Sequence, residues 1–266
     1  MRVKKYLPSL ITLTNLFLGF LSILYIQKGD EESLIIGCYL ILIAAILDSF
    51  DGKLARKIGV GSDFGKEIDS LADLISFCLA PSCLIFNILY TNHFQDSSLL
   101  FLYFAFISSF PVLMGAIRLA RFNIGHTSES KKSYFIGLPS PMAAVSICSI
   151  ILMRLKLQAN ISDHALDFNI ILPSIILLSF LMIGKLHFSK FPLLTFKAGN
   201  KNSIRLILLI ILFSIMIFGQ SQCYFHIILF VFSIYYILSN ILFHFINNSI
   251  RLNTLKQKLK NKKRTL

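Results

Sequence analysis

Long apolar runs separated by short polar connections repeat along the whole chain. Runs at about residues 7–27, 33–50, 68–90, 98–117, 138–157, 168–184, 206–221 and 224–246 each approach the ~20 residues that an α-helix needs to cross a bilayer. Together they predict an all-α polytopic membrane bundle of about eight transmembrane helices, or six or seven because only a short polar turn around Gly219 to Gln222 separates the last two runs. The first run follows MRVKK, as in a signal peptide. It has no small-residue cleavage site and is long enough to span, so it is read as a retained helix. A single membrane domain over 1–246 and a basic cytoplasmic tail over 247–266 are expected.

Composition strengthens the membrane reading. Hydrophobic residues make up 55% of the 266 positions and the mean hydropathy is +0.72, a balance that soluble domains rarely reach. The formal charge of +13 would suit a nucleic-acid partner, but the cations lie in short connections and form no basic domain, so no nucleic-acid binding is expected. They mark topology. With eight spans and the amino terminus inside, 23 of the 26 Lys and Arg residues fall on the cytoplasmic side, against Lys28, Arg154 and Lys156 on the other. Both termini are then cytoplasmic, in a bacterial-type inner or plasma membrane. The five cysteines are scattered without a CxxC pair and read as small apolar packing residues.

Acidic residues break this pattern at one place. Six of the thirteen Asp and Glu residues fall between Asp48 and Asp73, in DSFDGKLARKIGVGSDFGKEIDSLAD. Asp48 and Asp51 close one apolar run at i, i+3; Asp69 and Asp73 open the next at i, i+4, so each pair projects from one helix face. If the two helices are neighbours, four carboxylates converge at one depth, where they would repel and be poorly solvated without cations. Oxygen donors of this kind suit Mg2+ or Mn2+, and four carboxylates from two helices can hold two such ions about 3.5–4 Å apart. Gly52 and Gly65 leave the backbone open to a ligand, Ala55 keeps the adjoining face clear, and Arg56 could take a phosphate oxygen. Asp63 and Glu67 are read as solvated caps or salt-bridge partners. Intramembrane acids also occur in cation or proton transporters, but here they gather at one surface and form no relay across the bilayer.

The residues Asp48, Asp51-Gly52, Ala55-Arg56, Gly65, Asp69 and Asp73 match without departure the signature D-x-x-D-G-x-x-A-R-x8-G-x-x-x-D-x-x-x-D, and the chain resembles the CDP-alcohol phosphatidyltransferases. That resemblance implies a six-helix catalytic core, here with two further helices. It also implies a two-metal centre ligated by Asp48, Asp51 and Asp69, with Asp73 as ligand or catalytic base, and a nucleotide bordered by Gly52, Ala55 and Gly65. The segments LPSLITLTNLFLGF, GKEIDSLADLISFCLAPS, RLARFN and FIGLPSP, within the first 150 residues or so, are similar to the serine-specific branch of the family. The implied reaction moves a phosphatidyl group from CDP-diacylglycerol to the hydroxyl of L-serine and releases CMP at the cytoplasmic face. The same chemistry on glycerol 3-phosphate or an inositol phosphate is the alternative. Members are commonly homodimers.

Outside the acidic stretch the signals are weaker. Arg118 and Arg121, at i, i+3, suit a lipid phosphate or a substrate carboxylate, or else anchor the helix by the positive-inside rule. Thr12 and Asn15 match a polar pair of the family and equally suit helix–helix hydrogen bonding. Ser70 lies about 100° around the helix from Asp69 and is assigned to packing. Pro81 would kink or open the third helix. Pro139 and Pro141 fit a helix start. His187, His226 and His244 have no metal-ligand spacing and are read as boundary or packing residues. The tail RLNTLKQKLKNKKRTL is basic and weakly amphipathic, suited to anionic lipid or to solvent.

Overall fold

The computed structural model describes residues 3–58, 63–91, 98–124, 134–157, 167–189, 207 and 222–262. Helix α1 (Val3–Ile26) and α2 (Glu31–Ile58) form an antiparallel hairpin. Its turn places Gly29 at φ 79°, a conformation that suits glycine, and Asp30 starts α2 by accepting the Ser33 backbone N–H at 2.9 Å. That bond holds the Asp30 carboxyl below its ordinary range. The hairpin's register is fixed by Ser22, whose Oγ donates to the Gly37 carbonyl at 2.9 Å.

Helix α3 (Asp63–Asp73) continues through a π-helical turn (Leu74–Leu79) into α4 (Ala80–Thr91). Pro81 explains the widening. It has no N–H and its ring would press on the preceding turn; the chain relaxes into the wider form, with the Ala80 N–H bonding back to Ile75. Helix α5 (Ser98–Ser108) and α6 (Phe110–Ile124) meet at a break before Pro111, where Ser108 and Ser109 turn their hydroxyls onto the Phe104 and Phe106 carbonyls at 2.7 and 2.6 Å. Strand β1 (Tyr134–Ile136), α7 (Ser140–Leu157), a second π-helical turn (Asp167–Ile171), α8 (Leu172–Ile183), β2 (His187–Ser189) and α9 (Gln222–Lys262) follow. The two strands pair antiparallel with Phe135 opposite Phe188. This small ladder departs from an all-helical expectation; it is three residues deep, too short to show in an apolar pattern.

Burial is inverted relative to a soluble bundle. On α1, Leu10, Leu13, Phe17, Phe20 and Leu24 form an exposed stripe, whereas Thr12, Asn15 and Ser22 are buried. Exposed Leu102, Phe106, Leu113 and Ile117 on α5 and α6, and Val231, Leu238 and Leu242 on α9, extend the apolar exterior. An apolar surface of this extent requires hydrocarbon outside, while polar residues bond between helices. Among the described residues, five helical segments are long and apolar enough to cross a membrane (Ser9–Ile26, Glu31–Ser49, Phe64–Tyr90, Ser98–Ile124 and Phe225–Ile246), and Ser140–Leu155 and Asn169–Ile183 are shorter apolar helices. The protein is therefore an integral membrane protein. The expected span at 206–221 lies outside the described residues, apart from Ile207.

Gly137 joins the ladder to the bundle. Its N–H bonds the Leu186 carbonyl, and the next N–H, of Leu138, bonds that of Leu181, both at 2.9 Å. Gly137 sits at φ 79°, and a Cβ there would run into the Met182 carbonyl oxygen. Gly137→Ala combines backbone strain with a clash that no side-chain rotation relieves. It should lower stability by about 2 kcal/mol or more, read as a fall in the thermal midpoint in detergent; an unchanged midpoint would show that the loop is not constrained.

Candidate metal centre

Three helices packed at one end of the bundle bring Asp48 to the Asp69 and Asp73 pair. From the Ser22–Gly37 bond, the α1–α2 hairpin sets Thr12 level with the turn of α2 that holds Asp48. On its other side α1 touches the π-helical turn, where Ser76 Oγ donates to the Asn15 carbonyl at 2.9 Å. A Cβ on Gly19 would lie 2.7 Å from the Ser76 Cα, so only glycine allows this approach. On the far side of the same turn, Gly115 of α6 leaves room for Cys78 and, at 3.4 Å from a Cβ, the Met182 terminal methyl. The turn that follows Asp73 is thus gripped between two glycine notches.

Asp48, Asp69 and Asp73 converge in this frame. One carboxylate oxygen from each lies within 4.8 Å of the other two, and all three residues are half-buried. Asp51, Gly52, Ala55 and Arg56 belong to the last turns of α2, but their side chains lie outside the described residues. Gly65 opens α3 one turn before Asp69. The donor set is hard and anionic, and three carboxylates this close fit one or more divalent cations that prefer oxygen. Without a cation they would repel across a partly desolvated gap.

Two polar side chains near this end have unfilled bonding capacity among the described residues. Arg118, one turn beyond the Gly115 notch, donates from Nη1 to Ser140 Oγ at 2.8 Å and lies within electrostatic reach of Asp73 and Asp48. Its Nε is buried with no hydrogen-bond partner among the described residues. Asn15, one turn before the Gly19 notch, is fully buried, and neither Nδ2 nor Oδ1 has a partner there. Arg121 is different: it is exposed and donates from Nη1 to the Ile183 carbonyl at 3.0 Å, closing the carboxyl end of α8. The structure thus separates two arginines that their spacing had grouped.

The neighbouring polar residues are structural. Ser70 donates to Asn123 Oδ1 at 3.1 Å, and Asn123 Nδ2 donates to the exposed Glu67 at 3.3 Å, tying α3 to α6. The Asp63 side chain lies outside the described residues. Cys38, Cys78 and Cys148 are buried free thiols and Cys83 is half-buried. The histidines, by contrast, are not isolated. His187 and His244 approach at 3.1 Å between their Nδ1 atoms, and His226 Nε2 meets the Tyr39 hydroxyl at 3.0 Å. Both contacts join residues far apart in sequence, beyond the reach of any spacing argument.

Comparison with known proteins decides the family. The CDP-alcohol phosphatidyltransferase model matches residues 5–182, about two thirds of the chain and all three clustered aspartates. The chain belongs to the CDP-alcohol phosphatidyltransferase family. A CDP-diacylglycerol–serine O-phosphatidyltransferase of Helicobacter pylori is 34% identical over 214 residues, covering 79% of this chain and 81% of the relative. The enzyme of the same name from Bacillus subtilis is 34% identical over 203 residues, 74% of this chain and 99% of the relative. An archaetidylserine synthase of Methanothermobacter thermautotrophicus is 40% identical over 148 residues, 55% of this chain and 58% of the relative. The phosphatidyltransferase family gives the carboxylate cluster its context, and a direct binding test follows. Loss of partners outside the ligand shell typically costs about 10–100-fold in metal affinity. Asp48→Asn, Asp69→Asn and Asp73→Asn should each weaken Mn2+ binding at least that much, measured by electron paramagnetic resonance on protein in nanodiscs. Unchanged affinity in any one would remove that residue from the cluster's ligand set.

Proposed function

We propose that this chain is a CDP-diacylglycerol–serine O-phosphatidyltransferase, a phosphatidylserine synthase. The observation that carries the reading is the convergence of Asp48, Asp69 and Asp73 beside a buried arginine nitrogen, within a family of phosphatidyltransferases. Relatives named for the serine reaction, and one named for archaetidylserine, support serine as the acceptor. In this reading Asp48, Asp51, Asp69 and Asp73 hold two divalent cations, Mg2+ or Mn2+. When bound, these supply charge neutralisation to the pyrophosphate of CDP-diacylglycerol and to the departing CMP.

The protein's own groups do the rest. Gly52, Ala55 and Gly65 border the nucleotide and Arg56 takes a phosphate oxygen. The serine hydroxyl attacks the phosphorus that bears diacylglycerol; its proton passes to an Asp73 carboxylate oxygen as the new O–P bond forms and the bond to CMP breaks. Because a neutral hydroxyl is a weak nucleophile, much of the acceleration must come from holding it in line. Arg118 is assigned to the serine carboxylate, with Ser140 fixing one arm of the guanidinium and Nε left to bond the substrate. Asn15 offers an amide donor and acceptor to the substrate from α1. Serine carries one anionic group and matches a single guanidinium. Glycerol 3-phosphate or an inositol phosphate brings a doubly charged phosphate, and Arg121 is already bound to Ile183. The excess of basic connections at one face, 23 of 26 cations, supports a site open to the cytoplasm with both termini on that side.

CMP release from protein in lipid, with CDP-diacylglycerol, Mn2+ or Mg2+ and each acceptor in turn, tests the proposal. Phosphatidylserine should form only with serine and metal. A different phospholipid would overturn the acceptor, and cation flux without CMP release from folded protein would overturn the enzyme. Asp73→Asn should reduce turnover by about 10²–10⁴-fold while nucleotide-lipid binding persists; retained turnover would exclude Asp73 as base. Arg118→Lys keeps the charge but loses the planar fork. It should raise the KM for serine roughly 10-fold or more with a smaller change in kcat, and an unaltered KM would place Arg118 in anchoring alone.

A further inference from the structure

Helix α9 does not stop where its apolar span stops. The span ends at Ile246, yet the helix runs unbroken to Lys262, about 24 Å further at 1.5 Å per residue. Its exit point is fixed by His244, whose Nδ1 accepts the His187 backbone N–H at 3.3 Å and meets the His187 ring at 3.1 Å. His187 pairs with β1, β1 leads through Gly137 to Ser140, and Ser140 binds Arg118 beside Asp48 and Asp73. The extension therefore leaves the bundle at the carboxylate end.

What it carries there is charge of one sign. Residues 247–266 contain Arg251, Lys256, Lys258, Lys260, Lys262, Lys263 and Arg264 and no Asp or Glu. Lys256 with Lys260, and Lys258 with Lys262, are like charges at i, i+4, which oppose a helix in water. A segment this short is marginal on its own even without repulsion. Leu252, Leu255 and Leu259 recur at i, i+3, i+7, the spacing of one apolar stripe. A helix of this composition next to a bilayer needs an anionic surface to balance the lysines and an apolar boundary for the leucines.

We propose that the segment from residue 250 to 262 bends away from the axis of the α9 span and docks on anionic lipid at the carboxylate face of the membrane. This rests on the reading above in one respect: the product of that reaction is itself an anionic lipid released at the same face, so the tail would sense what the site makes. The segment lies beyond residue 182, where the match to the family model ends; it is a feature of this chain's own carboxyl-terminal part.

Hydrogen exchange on the full chain in nanodiscs tests it. Discs of phosphatidylcholine alone are compared with discs containing about 30% phosphatidylglycerol, an anionic lipid that is neither substrate nor product of the proposed reaction. Amides of 250–262 should exchange roughly tenfold or more slowly in the anionic discs, and about 0.5 M salt should erase the difference. The combined variant Lys256→Gln, Lys258→Gln, Lys260→Gln and Lys262→Gln preserves helix propensity and should show no difference between discs. Equal exchange in both discs overturns the proposal, as does slowing that survives both salt and the loss of the lysines. CMP release by the same preparation is scored separately: protection without serine-dependent CMP leaves the tail's binding intact and removes only the enzymatic reading, and activity without protection does the reverse.

Discussion

Carboxylates held together in a partly desolvated place constrain everything around them. Asp48, Asp69 and Asp73 lie within 4.8 Å of one another at the edge of a bundle whose exterior is hydrocarbon-facing. Three like charges there are tolerable only with cations between them and donors around them. The packing meets this demand by bringing backbones unusually close. Gly19 and Gly115 clasp the π-helical turn after Asp73 from opposite sides, and each notch lies one turn from a polar side chain, Asn15 or Arg118, near the same end. Small residues at helix contacts thus do more than permit packing; they set how closely α1 and α6 approach the turn that follows Asp73.

The π-helical turn belongs to the same design. Pro81 removes a donor from the third span, and the chain answers by widening over Leu74–Leu79. A regular helix there would rotate the residues below Asp73 relative to those above it, taking Ser76 from the Asn15 carbonyl and Cys78 from Gly115. The proline, the wide turn and the two glycines are one device seen from three positions in the sequence.

Much of this was legible in the residues. Apolar runs gave the membrane bundle because helix length and hydrocarbon thickness are tied by geometry. The spacing of Asp48, Asp69 and Asp73 gave the acidic cluster because charge inside an apolar context is rare and needs a reason, while the fourth expected member, Asp51, has its side chain outside the described residues. What could not be read was pairing across the fold. The sequence groups Arg118 with Arg121, but only the crossing of α6 against α7 and α8 sends one to Ser140 and the other to the Ile183 carbonyl. His187 with His244 and Tyr39 with His226 escape for the same reason, as residues 57 and 187 positions apart. Gly19 and Gly115 carried no local signal, since their meaning lies in what stands opposite them.

The unsatisfied polar atoms bear most directly on chemistry. A buried donor or acceptor without a partner costs about 1–3 kcal/mol. Among the described residues, Asn15 leaves both amide atoms open, and Arg118 leaves Nε open while its Nη1 is fixed on Ser140. Asn15 on α1 and Arg118 on α6 therefore hold polar atoms open near the aspartates, and in the proposed function a ligand with anionic and hydroxyl groups completes them. That is the physical ground on which the proposal gives α1 and α6 to the substrate and α2 and α3 to the metal.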